Sequence, residues 1–308
     1  MQVYKNINAL PEFKNAVLTI GTFDGVHLGH VKIIEQLIKE AAAVDGTPVL
    51  ITFYPHPKRI VVTNKNPLLI LSTQEEKYAL LKAKGIQHVV VVPFDREFSE
   101  QPAMNYIKDF LVNKFHPTTI IIGYDHRFGN NRAGDFRLLE SEAVKFNFAV
   151  REIPEKVLQD VTISSTKIRD ALLDGDIQTA ASYLGYDYFF SGIVSEGNRL
   201  GRTIGYPTAN LQIDDEQKLI PANGVYAVLV EWKDQTLKGM MNIGVRPTLD
   251  GLNRVIEVNL FDFEEMIYGE TLKVIIKHRL RSEVKFNGLE ELKAQLGKDK
   301  VAAEKLLS

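Results

Sequence analysis

Two histidines three residues apart close a glycine-rich string, Gly21-Thr22-Phe23-Asp24-Gly25-Val26-His27-Leu28-Gly29-His30. The glycines at 21, 25 and 29 allow tight turns and a close approach of backbone to a ligand. At a helix start, residues i and i+3 share a face. The unpaired N–H groups and the dipole of that end attract anions. His27 and His30 can therefore donate hydrogen bonds to a phosphate, and phosphate transfer depends more on positioning and charge stabilisation than on covalent chemistry. Metal ligation by the pair is disfavoured, because the chain has no Cys and no third ligand stands nearby in sequence.

A second string, Gly197-Asn198-Arg199-Leu200-Gly201-Arg202-Thr203-Ile204-Gly205-Tyr206-Pro207-Thr208-Ala209-Asn210, repeats glycine every fourth residue. No Gly-Lys-Ser/Thr follows, so this is neither a Walker loop nor a dinucleotide fingerprint. Thr208 and Asn210, two apart on a strand, point the same way. A hydroxyl and an amide oxygen are hard ligands suited to Mg²⁺, although a polar edge strand would look alike. Glu257 lies in the alternating run Val255 to Leu260, sharing a face with Asn259 and opposed to Ile256 and Val258. A solvated strand carboxylate is the usual fate of such a residue.

These residues need elements to hold them. Apolar runs at 16–20, 49–53, 89–92, 119–122 and 148–153 read as strands. Helical patterns at 31–44, 73–84 and 102–115 separate them. Alternation of this kind predicts a parallel α/β sheet covered on both faces. Ligands then sit beyond the carboxyl ends of the strands, which singles out the segments after Ile20, Phe53 and Ile122. A helical stretch follows from Thr166 to Leu184. Beyond it, strand patterns at 188–194, 225–232, 237–243, 255–261 and 271–278 predict a small antiparallel β-barrel. A charged amphipathic helix at 289–307 ends the chain, its glutamates and lysines reading as a solvated face.

The 308 residues suggest two domains, placed at 1–185 and 186–308. A net charge of −2 gives no broad cationic field, so nucleic acid is not an expected partner. Without Cys there are no disulfides or thiol nucleophiles, which fits a reducing compartment. No apolar run approaches the ~20 residues of a membrane span. The opening residues lack the apolar stretch of a secretory signal. A cytoplasmic location is expected; the sequence is silent on oligomeric state.

His27-Leu28-Gly29-His30 resembles the signature of the nucleotidyltransferase superfamily. The longer string from Gly21 resembles the FMN adenylyltransferase domain of prokaryotic bifunctional riboflavin kinase/FAD synthetases. Thr52-Phe53-Tyr54-Pro55-His56-Pro57, Gly123-Tyr124-Asp125-His126-Arg127-Phe128-Gly129 and Ile163-Ser164-Ser165-Thr166-Lys167-Ile168-Arg169 agree with that family in order. Taken singly, each has a plain explanation: serine caps helices, Pro55-His56-Pro57 makes a rigid loop, and Asp125 can cap a turn. The 197–210 string resembles the riboflavin kinase signature. Pro221 to Tyr226, Asn242 to Thr248, Tyr268-Gly269 and Arg281-Ser282-Glu283 continue the match.

The resemblance implies two ATP-dependent reactions, riboflavin to FMN and FMN to FAD, with Mg²⁺ required. It implies that Gly21, Phe23, Asp24, Gly25, Gly29, His27 and His30 take the ATP phosphates, joined by Ser164, Ser165, Thr166 and Arg169. It places flavin at His56, Pro57, Asp125 and Phe128. In the barrel it gives Gly197, Gly201, Arg202, Gly205 and Pro207 to ATP, Thr208 and Asn210 to the metal, and the catalytic role to Glu257. The family often has an aromatic at the position of His126 and a histidine at that of Asn259. Two other readings stand beside this one: a different nucleotidyltransferase, such as a cytidylyltransferase or pantetheine-phosphate adenylyltransferase, and a barrel that binds flavin without catalysis. The first leaves Thr208 and Asn210 unexplained; the second leaves Glu257 without a task.

Overall fold

The computed structural model describes residues 1–61, 68–153, 163–196, 200–248 and 251–308. They form two compact units, Met1–Leu68 with Gln74–Ser164, and Leu69–Thr73 with Ser165–Ser308.

The first unit is built on parallel strands β1 (Gln2–Tyr4), β2 (Val17–Ile20), β3 (Pro48–Tyr54), β4 (His88–Pro93), β5 (Thr119–Gly123) and β6 (Ala149–Ile153). Their order is β1-β4-β3-β2-β5-β6. The chain winds outward from β2 in both directions, so the order reverses between β2 and β5. Alternate strand residues feed two cores. Leu18, Ile20, Ile51, Val90, Ile120 and Ile122 pack with Ile107, Phe110, Leu111 and Leu139. Val17, Leu50, Val89, Val91 and Ile121 pack with Ile34, Leu37 and Leu81. Each fully buried Ile or Leu contributes roughly 1.5–3 kcal/mol. The helix Leu28–Ala43 buries Ile34, Leu37 and Ala41, the 3.6-residue stripe expected from its sequence.

The second unit is a closed barrel of antiparallel strands β7 (Phe189–Ser195), β8 (Ala209–Gln212), β9 (Gly224–Trp232), β10 (Gln235–Thr248), β11 (Gly251–Leu260) and β12 (Thr271–Arg281), ordered β10-β11-β8-β7-β12-β9. Helix Leu289–Leu306 covers one side, with Ala303 in a cluster with Ala227, Met240 and Phe261.

Several elements depart from expectation. The stretch 166–184 is two helices, Ser165–Asp174 and Ile177–Leu184, separated where Gly175 takes φ 77°. The segment 102–115 carries a π-helical middle, Tyr106–Val112. Strand β1 and helix Phe136–Phe146 were not anticipated. Both helices of 165–184 belong to the second unit: the amide of Ala222 donates to Leu172 O at 3.0 Å.

Candidate active sites

Strand β2 ends at Ile20, and the chain turns through Gly21 into a short 3₁₀ turn, Asp24–Val26. Phe23 (φ 48°), Gly25 (φ 76°) and Val26 (φ 38°) all lie in the left-handed region. For β-branched Val26 this is backbone strain, of the kind that concentrates at functional sites and costs about 1–3 kcal/mol. Phe23, Asp24 and Val26 are nonetheless fully buried, so packing holds the turn in place. His27 then occupies the N-cap of the helix Leu28–Ala43, its Nδ1 accepting the amide of His30 at 3.4 Å. That bond leaves the proton of a neutral His27 on Nε2. The two imidazoles stack, with centroids 3.7 Å apart and planes 17° from parallel. Burial, reinforced by neighbouring His27 and Lys77, holds the His30 pKa well below the ordinary imidazole value. His30 is therefore neutral at pH 7, and its Nδ1 is buried with no partner among the described residues. The pair sits at a helix N-terminus beside the β2–β5 reversal, where open α/β sheets bind ligands.

Around this loop, Thr22 O accepts from Thr52 Oγ1 at 3.1 Å and from Lys77 Nζ at 2.9 Å. Lys77 was not legible as a site residue, since a lysine in an amphipathic helix ordinarily reads as solvated. Beyond β3, His56 Nδ1 accepts the amide of Lys58 at 3.2 Å and so caps the short helix Pro57–Val61. Beyond β5, Asp125 is exposed and Phe128 is buried, stacked on Tyr106 at 4.9 Å. His126 lies against Phe128 with centroids 5.9 Å apart. Burial, with Arg127 and Arg132 nearby, brings the His126 pKa down to about 4. Its Nε2 and the hydroxyl of Tyr106 are buried without hydrogen-bond partners among the described residues.

Ser164 is exposed and closes the first unit; Ser165, Thr166 and Arg169 begin the second. Arg169 is buried, and its Nε donates to Leu69 O at 2.6 Å.

In the barrel, strand register builds a row. Asn210 of β8 lies opposite Glu257 of β11, which lies opposite Asn242 of β10. Asn242 in turn lies opposite Val225 of β9, and Val225 opposite Arg281 of β12. Directly paired residues share a face, with Cβ atoms ~4.5–5.5 Å apart. Glu257, Asn242, Val225 and Arg281 line one cavity of about 280 Å³, which Thr208, Gly201 and Glu283 also border, while Asn210 reaches this row through its pairing with Glu257. Thr208 is exposed and precedes β8 by one residue, and it borders the same cavity as Glu257; Asn210 is not among the residues that line it. Asn259 shares the Glu257 face as expected, and its Nδ2 donates to Pro207 O at 2.6 Å. Pro207 itself is exposed. A Cβ on Gly201 would meet Tyr206 O at 2.2 Å, so only glycine permits that turn, and Gly205 follows at φ 84°. Arg281 binds Asp299 of the final helix through Nε and a terminal nitrogen, at 2.7–3.1 Å. Gly197 and the side chain of Arg202 lie outside the described residues. Asn242 and Glu283 belong to the matched strings but carry no task there; the cavity brings them together with Glu257.

Among the described residues no helix is long and apolar enough to cross a membrane. The FAD synthetase family model matches residues 10–167, and the riboflavin kinase model matches residues 184–307. A bifunctional riboflavin kinase/FMN adenylyltransferase of Haemophilus influenzae is 39% identical, over 97% of each chain. That of Escherichia coli K12 is 37% identical, over 97% of this chain and 94% of its own. A crystal structure from Streptococcus pneumoniae, described as a macrolide-efflux protein, superposes with a TM-score of 0.88 at 32% identity, over 98% of both chains. With both family models matched in order and close relatives aligned almost end to end, the chain belongs to the bifunctional riboflavin kinase/FMN adenylyltransferase family.

Proposed function

We propose that the two reactions of this family divide along the chain, adenylylation of FMN within 1–185 and phosphorylation of riboflavin within 186–308. The observation that carries the division is spatial. The stacked His27–His30 pair lies in one compact unit, and the Asn210–Glu257–Asn242 row lies in the other.

In the first reaction a phosphate oxygen of FMN attacks the α-phosphorus of ATP, and pyrophosphate leaves. That nucleophile is already ionised at neutral pH, so the site needs donors rather than a base. His27 Nε2–H and the N–H of neutral His30 donate to the phosphates as charge moves onto the leaving group. Gly21, Gly25 and Gly29 let the backbone approach; Asp24 and Phe23 hold the turn. Ser164, Ser165, Thr166 and Arg169 complete the phosphate contacts, the guanidinium of Arg169 matching two oxygens at once. His56, Pro57, Asp125 and Phe128 receive the flavin.

In the second reaction Glu257 accepts the proton of the terminal ribityl hydroxyl as its oxygen attacks the γ-phosphorus of ATP, the bond from that phosphorus to the bridging oxygen breaks, and ADP leaves. Gly197, Gly201, Arg202, Gly205 and Pro207 wrap the nucleotide. The Thr208 hydroxyl borders the cavity beside Glu257, and Asn210 stands opposite Glu257 in the strand register; a hydroxyl and an amide oxygen are hard donors that fit Mg²⁺, and Thr208 and Asn210 would hold it. Bound there, Mg²⁺ supplies charge neutralisation at the ATP phosphates. Asn259, through Pro207 O, fixes the start of that donor pair. Cytoplasmic location and the absence of nucleic-acid or membrane partners complete the reading.

Incubation with riboflavin, ATP and Mg²⁺, followed by separation of the flavins, tests it. FMN and then FAD are expected; FMN without FAD, or no FMN at all, removes one half of the assignment.

A further inference from the structure

Lys77 is 4% exposed, yet it carries an ammonium into the floor of the His27–His30 loop. Its Nζ donates to Thr22 O at 2.9 Å, the same carbonyl that Thr52 Oγ1 reaches from β3. Burying an ammonium is costly unless it is paired and hydrogen-bonded, and an apolar side chain would fill the same volume without that penalty. The titratable groups acting on it are buried Asp24 from the turn and His30 from the helix start; Glu76 is its buried neighbour on its own helix.

We propose that Lys77 is a positioning residue for adenylyl transfer: its ammonium fixes the carbonyl of Thr22 and thereby sets the loop that presents His27 and His30. The inference rests on the assignment of that transfer to the histidine pair. Pinning Thr22 from two sides holds the entry to a turn whose next residues, Phe23, Gly25 and Val26, all sit at positive φ. The same charge disfavours imidazolium at His30, so His30 meets phosphate as a neutral N–H donor. It also places a fixed positive charge beneath the site where pyrophosphate charge develops.

Burial lowers the Lys77 pKa to about 8, with Asp24 opposing the shift. The ammonium is thus present at pH 7 and is lost as pH rises through about 8 in the free enzyme, the state that kcat/KM reports. The full chain supplies its own control, because riboflavin kinase activity resides elsewhere. Lys77→Met is expected to lower kcat/KM for FMN adenylylation at least ten-fold at pH 7, abolish the alkaline limb near pH 8, and leave riboflavin phosphorylation within two-fold. Lys77→Arg, which stays charged, is expected to recover part of the loss and to lack that limb. A Lys77→Met enzyme within three-fold of the parent overturns the inference. So does a Lys77→Arg enzyme that retains the limb near pH 8, a result that decides the matter even if the Met variant does not fold. His30→Ala measured alongside separates the two readings. Crippled FAD formation there, with Lys77→Met unaffected, removes only the role of Lys77; undiminished FAD formation removes the site assignment itself.

Discussion

His30 and Glu257 are the residues on which the two assignments turn, and each has a selective variant. His30→Ala removes a preorganised donor, which commonly costs ~10²–10³-fold. FAD formation should fall by that factor while FMN accumulates from riboflavin at the parent rate. Glu257→Gln keeps the shape and removes the base, so riboflavin phosphorylation should drop ~10²-fold or more with FMN adenylylation unchanged. Turnover of either variant within a few-fold of the parent rejects its assignment. His126 offers a test of stability. Its folded pKa of about 4 lies below the ordinary 6.5. Above pH 6.5 neither state binds the proton; below it the unfolded chain protonates first. Stability is therefore lost between about pH 6.5 and 4, by up to about 1.4 kcal/mol per pH unit. His126→Phe should remove that slope, so denaturant unfolding at pH 7 and pH 5 should show the variant gaining on the parent as pH falls. The position of His30 was legible, because motif and helix start coincide. The neutrality of His30 and the burial of Lys77 were not, since both arise from side chains that meet only after folding.

Elements were readable where apolar periodicity was strong and hidden where a few polar residues sufficed. Strands β2 to β5 announce themselves through runs such as Ile120-Ile121-Ile122. Strand β8, with only Ala209 to Gln212, owes its place to pairing with β7 and β11 rather than to its own composition. The break at Gly175 was masked because Ser165–Asp174 and Ile177–Leu184 carry similar helical patterns, and only the left-handed glycine separates them. The turn at Gly201 gives the element-scale prediction. In Gly201→Ala the new methyl lies 2.2 Å from Tyr206 O, so the turn leading to Thr208 must shift. Strain of 1–3 kcal/mol corresponds to roughly ten-fold or more. The KM for ATP in riboflavin phosphorylation should rise by about that factor, with FAD synthesis from supplied FMN unaltered. An unchanged KM would show that the turn plays no part in nucleotide binding.

The proposed division of chemistry between the two halves does not coincide with a single cut of the chain, since segment 69–73 belongs to the second compact unit. A fragment of residues 1–185 should convert supplied FMN and ATP to FAD and leave riboflavin untouched. Phosphorylation of riboflavin by that fragment would refute the division. Helices 165–174 and 177–184 pack with the barrel, where Arg279 reaches Asp174 O at 3.2 Å and Asn223 O at 2.9 Å. Residues 165–308 should accordingly melt several degrees above residues 186–308, as a loss of a few kcal/mol implies at this size. Equal melting temperatures would mean that these helices add nothing to the barrel.

The short segment 69–73 has a different consequence, one that concerns time. It belongs to the second unit, where Ile70 bridges Lys218, the amide of Ile70 donates to Gln217 O at 2.8 Å, and Lys218 Nζ caps Leu71 O at 2.6 Å. On the ribosome these residues emerge about 150 positions ahead of their partners. At roughly 5–20 residues per second, that is a wait on the order of 10 s. In about the first half of that interval the rest of the parallel sheet, β4 to β6, is made, and residues 69–73 must stay available rather than be absorbed into it. Building the barrel unit thus includes the recapture of a piece of chain made long before the rest of it.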